Sequence, residues 1–407
     1  MKVFRLACLA ILAGLLNSPA IAESPLLSKR VSAGALPPIA QRLPQTPMVT
    51  DLAAMGRAVG QQGGEISLLM ARSKDTRMLT VYGYARLVGF TPELTLQPDL
   101  ALKIENEGDQ TFTLHLRPGH RWSDGQPFTT EDFRYFWEDI ALNEFLSPFG
   151  PPEALLVNGK PPRVEVIDRH TIRYHWSAPN PLFLPSLAGA RPLYIYAPGH
   201  YLKQFHGAYV EETALKAMVE EAGVRNWAGL HTRYGHQYKF DNPDLPTLQP
   251  WLCVTPAPSE RFIFERNPYF HRVDTEGQQL PYLDRVIVNI ASSGLIPAKT
   301  GAGESDLQGR YLRLDNFPFL MEGGERNNFV VRLWQMGVGS QMAIYPNLNA
   351  NDDTWRELMR DTRFRRALSL GIDRDEINQV IYFGLVHPSA NTVLPQSPLF
   401  RQEYADA

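Results

Sequence analysis

The segment FTLHLRPGHRWSDGQPFTTEDF, residues 112–133, constrains the fold more than any other part of the sequence. Across residues 111–117 apolar and polar side chains alternate, which predicts a half-buried β-strand. Pro118-Gly119 ends this strand, and Thr129 with Asp132 forms a capping box that begins a helix. Apolar residues then recur at helical spacing, at Phe133, Phe136, Trp137, Ile140 and Ala141. We therefore expect a strand, a turn and a helix.

Strand and helix patterns are interspersed along the rest of the chain. Two alternating runs joined at residues 168–170 predict a β-hairpin, and further strands are expected at 261–265 and 285–290. Near the end, Asp361 and Asp373 are each predicted to cap a helix, the second ending in a left-handed cap at Gly384. This interspersion indicates a mixed α/β architecture.

The first 22 residues have the three parts of a secretory signal. Lys2 and Arg5 precede a short apolar run over residues 6–16, and Ala20-Ile21-Ala22 supplies the small residues of a cleavage site. A membrane anchor would need about 20 apolar residues, so this run is too short to cross a bilayer. We expect cleavage directly after the alanine at position 22 and export from the cytoplasm.

The mature chain would keep a single cysteine, Cys253, so no intramolecular disulfide is possible. We interpret Cys253 as a small buried residue. An exported chain of this kind must be held together by burial of apolar surface, and 407 residues predict two or three lobes rather than one core. Residues 23–62 are interrupted by prolines and are predicted to be an irregular lead-in.

Charge and motifs argue against several classes of function. The formal net charge is −3 and there is no long basic run, so nucleic acid is not an expected partner. The sequence has no CxxC, HExxH or GxSxG pattern, and its glycine-rich stretches lack the lysine of a phosphate loop. We expect no catalytic residue, no metal and no cofactor. Carboxylates that are distant in the chain can still pair, so a secreted peptide or glycoside hydrolase stays open as an alternative.

The strand, turn and helix segment resembles the family 5 solute-binding proteins of ABC importers. Their recurring motif W-S-D-G-x-P-x-T-x-E-D is matched by Trp122-Ser123-Asp124-Gly125, Pro127, Thr129 or Thr130, and Glu131-Asp132. Four further segments are similar to family segments in the same order: Gln97-Pro98-Asp99-Leu100-Ala101, Glu265-Arg266-Asn267-Pro268-Tyr269-Phe270, Gly303-Glu304-Ser305-Asp306, and residues 364–374. The stretch DTEGQQLPYLDR looks like the version found in larger members that bind peptides or oligosaccharides.

The resemblance implies an α/β, type II periplasmic-binding-protein-like fold with two lobes and an extra small α+β domain. Residues 63–81 and 195–290 would form the first ligand lobe, 82–194 the extra domain, and 291–407 the second lobe. Family members continue well beyond this length, which implies that the chain is C-terminally truncated and its second lobe incomplete. The opening segment would belong to the extra domain, away from the ligand cleft, so we interpret it as a fold-specifying turn rather than an active site.

The resemblance also implies a function that is not enzymatic. The protein would be a monomeric periplasmic component of an ABC transporter that binds a peptide between its lobes and passes it to the membrane permease. An oligosaccharide-binding member of the same family is the alternative, and a non-functional remnant is a third. The candidate ligand contacts are Tyr84, Arg86, Trp251 and Trp334. Arg86 stands where many members have a cleft-facing glycine, and for each aromatic residue a place in the core remains the alternative.

Overall fold

The computed structural model describes residues 23–334, 337, 340 and 342–406. The chain forms two compact units, Met1–Ser292 and Ser293–Ala407. The predicted export signal lies outside the described residues and stays a prediction. Within the described ranges, no helix combines the length and the apolar character that a membrane crossing requires.

All the strands of the described chain lie in the first unit. They are β1 Met48–Thr50, β2 Glu65–Met70, β3 Val88–Phe90, β4 Leu96–Pro98, β5 Ala101–Glu107, β6 Thr111–Leu116, β7 Arg163–Asp168, β8 Thr171–His175, β9 Trp251–Cys253, β10 Arg261–Arg266, β11 Arg272–Asp274 and β12 Arg285–Ile290.

The α-helices of the described residues are shared between the units. Those of the first unit are α1 Pro25–Ser32, α2 Met78–Gly83, α3 Thr130–Arg134, α4 Phe183–Ala188, α5 Gly199–Leu202, α6 Glu212–Glu221 and α7 Trp227–Tyr234. Those of the second unit are α8 Ile296–Gly301, α9 Phe317–Asn327, α10 Asp353–Arg360, α11 Thr362–Leu370, α12 Arg374–Tyr382 and α13 Gln402–Ala405.

A four-stranded mixed sheet in the order β2-β12-β10-β9 forms one core of the first unit. β12 pairs parallel with β2 and antiparallel with β10, which in turn pairs antiparallel with β9. The alternation in β10 buries Phe262 and Phe264, while the continuous apolar run in β12 is buried on both faces. The strands predicted at 261–265 and 285–290 are confirmed, the first of them one residue longer than expected.

A second sheet, antiparallel in the order β5-β6-β8-β7, forms the larger core. The predicted β6 strand and the β7–β8 hairpin are both confirmed. Phe112 lies opposite Tyr174 and Leu114 opposite Ile172, so these four buried side chains share one face. Their cross-strand contacts fix the register, because a slip of one residue would turn all of them to the other face.

The other face of β6 is less exposed than the alternation predicts. Thr113 is buried, and its hydroxyl accepts a hydrogen bond of 3.2 Å from Arg173 Nε. Arg117 is also buried, because its guanidinium donates to the carbonyl oxygens of Asp99 (2.9 Å), Ala101 (3.2 Å) and Thr46 (2.7 Å). The prediction of a half-buried strand is therefore wrong at Thr113 and Arg117, where side chains and backbone from other elements cover the polar face.

The capping box that begins the next helix is confirmed. Asp132 accepts a 2.8 Å hydrogen bond from the backbone N–H of Thr129, whose own hydroxyl accepts from the N–H of Glu131. Regular α-helix ends at Arg134, and a π-helical segment continues from Tyr135 to Ala141. The predicted helix is confirmed in extent, while its second half is wider than an α-helix.

The expectation of an irregular segment between residues 23 and 62 is wrong at its beginning, where the chain forms α1. Ser24 Oγ caps this helix by accepting from Leu27 N at 3.2 Å, and a proline occupies the first turn, where its missing N–H costs nothing. Leu27 is completely buried and packs with Leu36 and Tyr269. The prolines that predicted an irregular segment, from position 37 onward, all lie beyond the end of this helix.

In the second unit α8 and α9 pack closely because glycines face each other. A Cβ at Gly323 would stand 2.8 Å from the carbonyl oxygen of Gly301, so only glycine permits this approach. The helices predicted after Asp361 and Asp373 are confirmed, each with its aspartate side chain as N-cap. The left-handed turn predicted at Gly384 is confirmed, and it begins one residue earlier, at Phe383.

A buried histidine links the π-helical segment to α7 and predicts a pH-dependent stability. His231 Nε2 lies 2.8 Å from the hydroxyl of Tyr135, and burial, helped by His206, lowers the pKa of His231 to about 4. Because the unfolded chain takes up this proton near pH 6.5, the contribution is complete above that pH and is lost as the pH falls toward 4. We expect wild type to lose about 2 kcal/mol more than His231→Gln between pH 7.5 and pH 5, measured by urea denaturation. Equal losses in the two proteins would contradict this assignment.

Candidate functional site

Tyr84 begins the turn that contains two of the candidate ligand contacts. It follows α2 in a left-handed conformation with φ of 45°, which is uncommon for a residue other than glycine. Its hydroxyl donates to the carbonyl oxygen of Ala188 (2.8 Å) and accepts from the N–H of Phe90 (3.0 Å). The guanidinium of Arg86 lies 4.8 Å from the centre of the Tyr84 ring. The turn is thus held in one conformation by its own side chains.

Arg86 is buried and connects α2 by hydrogen bonds to the residues that follow α4. Its side chain donates to the carbonyl oxygens of Ala85 (2.9 Å), Thr80 (3.1 Å), Gly189 (3.0 Å) and Ala190 (2.9 Å). Burial lowers the pKa of this guanidinium. Carbonyl oxygens of the protein therefore take up its donors, and its role as a ligand contact stays a prediction.

Asp99 accepts hydrogen bonds from several groups of this region. It belongs to the P-D-L-A motif and is not one of the candidate ligand contacts. One carboxylate oxygen accepts from His271 Nε2 (2.7 Å) and Arg272 Nε (3.0 Å), and the other from Arg272 Nη2 (2.5 Å) and the N–H of Arg86 (2.8 Å). Arg272 Nη2 also donates to the carbonyl oxygen of Tyr84 at 2.7 Å. Asp99 and Arg272 together hold the backbone of the turn.

The electrostatics of this cluster keep Asp99 ionised. Burial alone would raise the pKa of Asp99, but Arg272 and His271 outweigh it and hold the pKa well below its ordinary value. His271 is itself buried, and burial lowers its pKa despite the neighbouring carboxylate. In the sequence, only the acidic residue of the P-D-L-A motif marks this cluster. Its partners His271 and Arg272 lie about 170 residues later, so no local pattern connects them to Asp99.

Trp251 lies close to the same turn. It is buried at the start of β9, in the core of the mixed sheet. The preceding Gln249 donates from Nε2 to the carbonyl oxygen of Ala85 at 3.0 Å, and a Cβ at Gly83 would stand only 2.7 Å from Pro250. The first unit thus brings Tyr84, Arg86 and Trp251 into one region, and Trp251 packs in the core there.

Trp334 belongs to the second unit, in the segment between α9 and α10. Its side chain is 77% exposed, so it is available for contact with another molecule. Its role as a ligand contact stays a prediction, as do those of the other three residues.

Two reactive groups of the first unit, Cys253 and Asp132, are held in buried surroundings. Cys253 is buried, and burial raises the pKa of its thiol to about 11, so it remains protonated at neutral pH. Burial also raises the pKa of Asp132 to about 7, but its two oxygens accept from Thr129 N–H and Trp122 Nε1–H, as a cap requires. Among the described residues, no three acidic, histidine or cysteine side chains are placed to hold a metal ion.

Comparison with known proteins identifies the family to which this chain belongs. The model of the bacterial extracellular solute-binding proteins, family 5 Middle, matches residues 95–407, which is well over half of the chain. This chain is a family 5 extracellular solute-binding protein. The resemblance seen in the motif segments is therefore confirmed.

Curated relatives of this family 5 protein are periplasmic binding proteins. The periplasmic alpha-galactoside-binding protein of Rhizobium meliloti (strain 1021) is 25% identical over 391 residues, covering 88% of this chain and 52% of the relative. The periplasmic oligopeptide-binding protein OppA of Salmonella typhimurium is 25% identical over 299 residues, covering 69% of this chain and 45% of the relative. The family 5 chain thus spans about half the length of these relatives.

Solved structures confirm the predicted fold class. An oligopeptide-binding protein OppA superposes with a TM-score of 0.77 at 34% identity, covering 95% of this chain and 62% of that structure. The periplasmic binding protein MelB from Agrobacterium fabrum C58, in complex with stachyose, superposes with a TM-score of 0.64 at 26% identity, covering 92% of this chain and 57% of that one. The family 5 chain therefore has the α/β fold of type II periplasmic binding proteins.

Proposed function

We propose that this protein is the solute-binding component of an ABC importer, which captures peptides in the periplasm and delivers them to a membrane permease. The observation that carries the proposal is the likeness to an oligopeptide-binding protein OppA, at 34% identity and a TM-score of 0.77 over nearly the whole chain. The protein would recognise its ligand by hydrogen bonds and by pockets for variable groups, and would leave it chemically unchanged.

The first unit supports this proposal by the way it holds the turn at Tyr84. Fixed hydrogen-bonding groups favour binding, because less conformational entropy is lost when a ligand arrives. Asp99 and Arg272 hold this backbone by hydrogen bonds within the protein. We propose Tyr84, Arg86, Trp251 and Trp334 as the residues to be tested for ligand contact.

The domain assignment also remains a proposal that the sheets support. The mixed sheet joins β2 to β9, β10 and β12, as a lobe built from residues 63–81 and 195–290 would require. The antiparallel sheet β5-β6-β8-β7 lies wholly within residues 82–194, the proposed extra domain. Residues 291–407 would belong to the second lobe.

An oligosaccharide is the second candidate ligand. The alpha-galactoside-binding relative is matched over 88% of this chain, and the MelB structure contains stachyose. Isothermal titration of the purified protein with a pool of short peptides and, separately, with stachyose distinguishes the candidates. We expect saturable heat with the peptides only. Heat with stachyose alone would replace the peptide by an oligosaccharide, and no heat with either, from folded protein, would argue against the proposed function.

The proposed location in the periplasm depends on removal of the export signal. Residues 1–22 carry the basic start, apolar run and small residues of such a signal, and the relatives named above are periplasmic. We expect the intact mass of protein recovered from the periplasm of an expressing bacterium to correspond to a chain that begins at Glu23. Recovery of the unprocessed mass from the cytoplasm alone would contradict the proposed location.

A further inference from the structure

A cavity of about 660 Å³ lies within the first unit and borders the Arg86 region at Gly189, whose carbonyl oxygen accepts from Arg86. It opens where the π-helical segment, residues 189–197 and the end of α7 come together. None of Tyr84, Arg86 and Trp251 lines it. Its volume falls in the range of small-molecule sites, which are roughly 300–1,000 Å³.

The walls of this cavity are mainly apolar and aromatic. They include Phe136, Ile140, Leu193, Tyr194 and Tyr196. The rings of Tyr194 and Tyr196 meet edge to face with their centres 5.9 Å apart, so the aromatic wall is itself well packed. A ligand with a flat apolar body would replace water along this wall.

The charge on the cavity is positive. Among the described residues that line it there is an arginine, Arg191, and there is no carboxylate. Arg191 is exposed, its guanidinium lies 5.7 Å from the centre of the Tyr238 ring, and none of the ion pairs found among the described residues involves it. Burial lowers the pKa of both lining histidines, His231 and His236, so at neutral pH Arg191 carries the charge.

We propose that this cavity is a second binding site, for a small organic anion with an aromatic or otherwise apolar body, such as an aromatic carboxylate or sulfonate. The anionic group sits at Arg191 and the body lies against the aromatic wall. The charge of the site matches this ligand and disfavours a cation.

The test uses 1-anilinonaphthalene-8-sulfonate as the anionic probe and N-phenyl-1-naphthylamine, which has the same rings without the sulfonate, as the neutral one. We expect the folded full-length protein to bind one sulfonate probe with saturable fluorescence and to bind the neutral probe more weakly. Arg191→Ala should weaken binding of the sulfonate about tenfold, because a charge-assisted contact is lost.

Arg169→Ala is the matched control, because Arg169 is also an exposed arginine of the first unit and does not line the cavity. It should bind the sulfonate probe as wild type does, and the thermal melts of both arginine variants should match that of wild type. Equal binding by Arg191→Ala and Arg169→Ala would overturn the proposal, as would equal affinity for the charged and neutral probes. Displacement of the sulfonate probe by the peptide pool would place the probe at the proposed peptide site and would also overturn the proposal of a second site. If the protein failed to bind peptides but still bound the probe, only the proposed function would fail.

Discussion

Replacing Trp122 by alanine is expected to lower the free energy of unfolding by about 3 kcal/mol, as for other large aromatic residues removed from a core. The side chain is completely buried, and its ring meets that of Phe128 edge to face with centres 5.5 Å apart. Its Nε1–H donates to Asp132 at 3.2 Å, so the substitution removes a donor from the capping carboxylate as well as leaving a cavity. Urea denaturation, monitored by circular dichroism, measures this loss in the free energy of unfolding.

Phe149→Ala provides the control for this prediction. Phe149 is an aromatic residue of the same unit, but 99% of it is exposed, so removing it should change the free energy of unfolding by no more than about 0.5 kcal/mol. If both variants were equally destabilised, Trp122 would not have the structural role that its burial indicates. If the Trp122 variant had the melting temperature of wild type but no longer bound ligand, residues 112–133 would instead contribute to a binding site.

The second large effect is expected at Asp99. Asp99→Asn keeps the size of the side chain but removes the charge that balances Arg272 beside it, and we expect a loss of about 3 kcal/mol, as when one partner of a buried pair is removed. The carboxylate is 2% exposed and the guanidinium 19% exposed, so water can replace little of the lost interaction. The same variant should loosen the Tyr84 turn, because Arg272 would no longer be held against its carbonyl oxygen.

Glu105→Gln is the matched control for this ion pair. Glu105 and Lys103 form a pair with the same 2.5 Å separation of nitrogen and oxygen, but both side chains are exposed, at 42% and 63%. Solvent screens such pairs, so the midpoint of urea denaturation should stay close to that of wild type. If Glu105→Gln lowered the free energy of unfolding as much as Asp99→Asn, burial would not determine the strength of these two ion pairs.

Local patterns in the sequence predicted the parts of the fold that depend on near neighbours. β6 and the β7–β8 hairpin followed from alternation of side chains, and the helix after Thr129 from its capping box. Each of these signals acts within a few residues, where backbone geometry determines which side chains share a face. The same patterns gave the N-caps at Asp361 and Asp373.

What the sequence did not reveal depends on contacts between distant segments. Alternation placed Arg117 on a polar face, but the carbonyl oxygen of Thr46, 71 residues earlier, is one of the groups that cover it. His271 meets Asp99 across 172 positions, and no periodic pattern connects such residues. Arg86 was expected to face a ligand from its place in a family motif, whereas four carbonyl oxygens take up its donors in this structure.

The proposed function is that this family 5 protein binds a peptide and leaves it intact. Equilibrium dialysis of the purified protein against a pool of short peptides, with mass spectrometry of both chambers, distinguishes binding from cleavage. We expect a subset of peptides to accumulate on the protein side with unchanged masses. Equal concentrations in both chambers would contradict peptide binding, and the appearance of cleaved peptides would instead indicate a hydrolase.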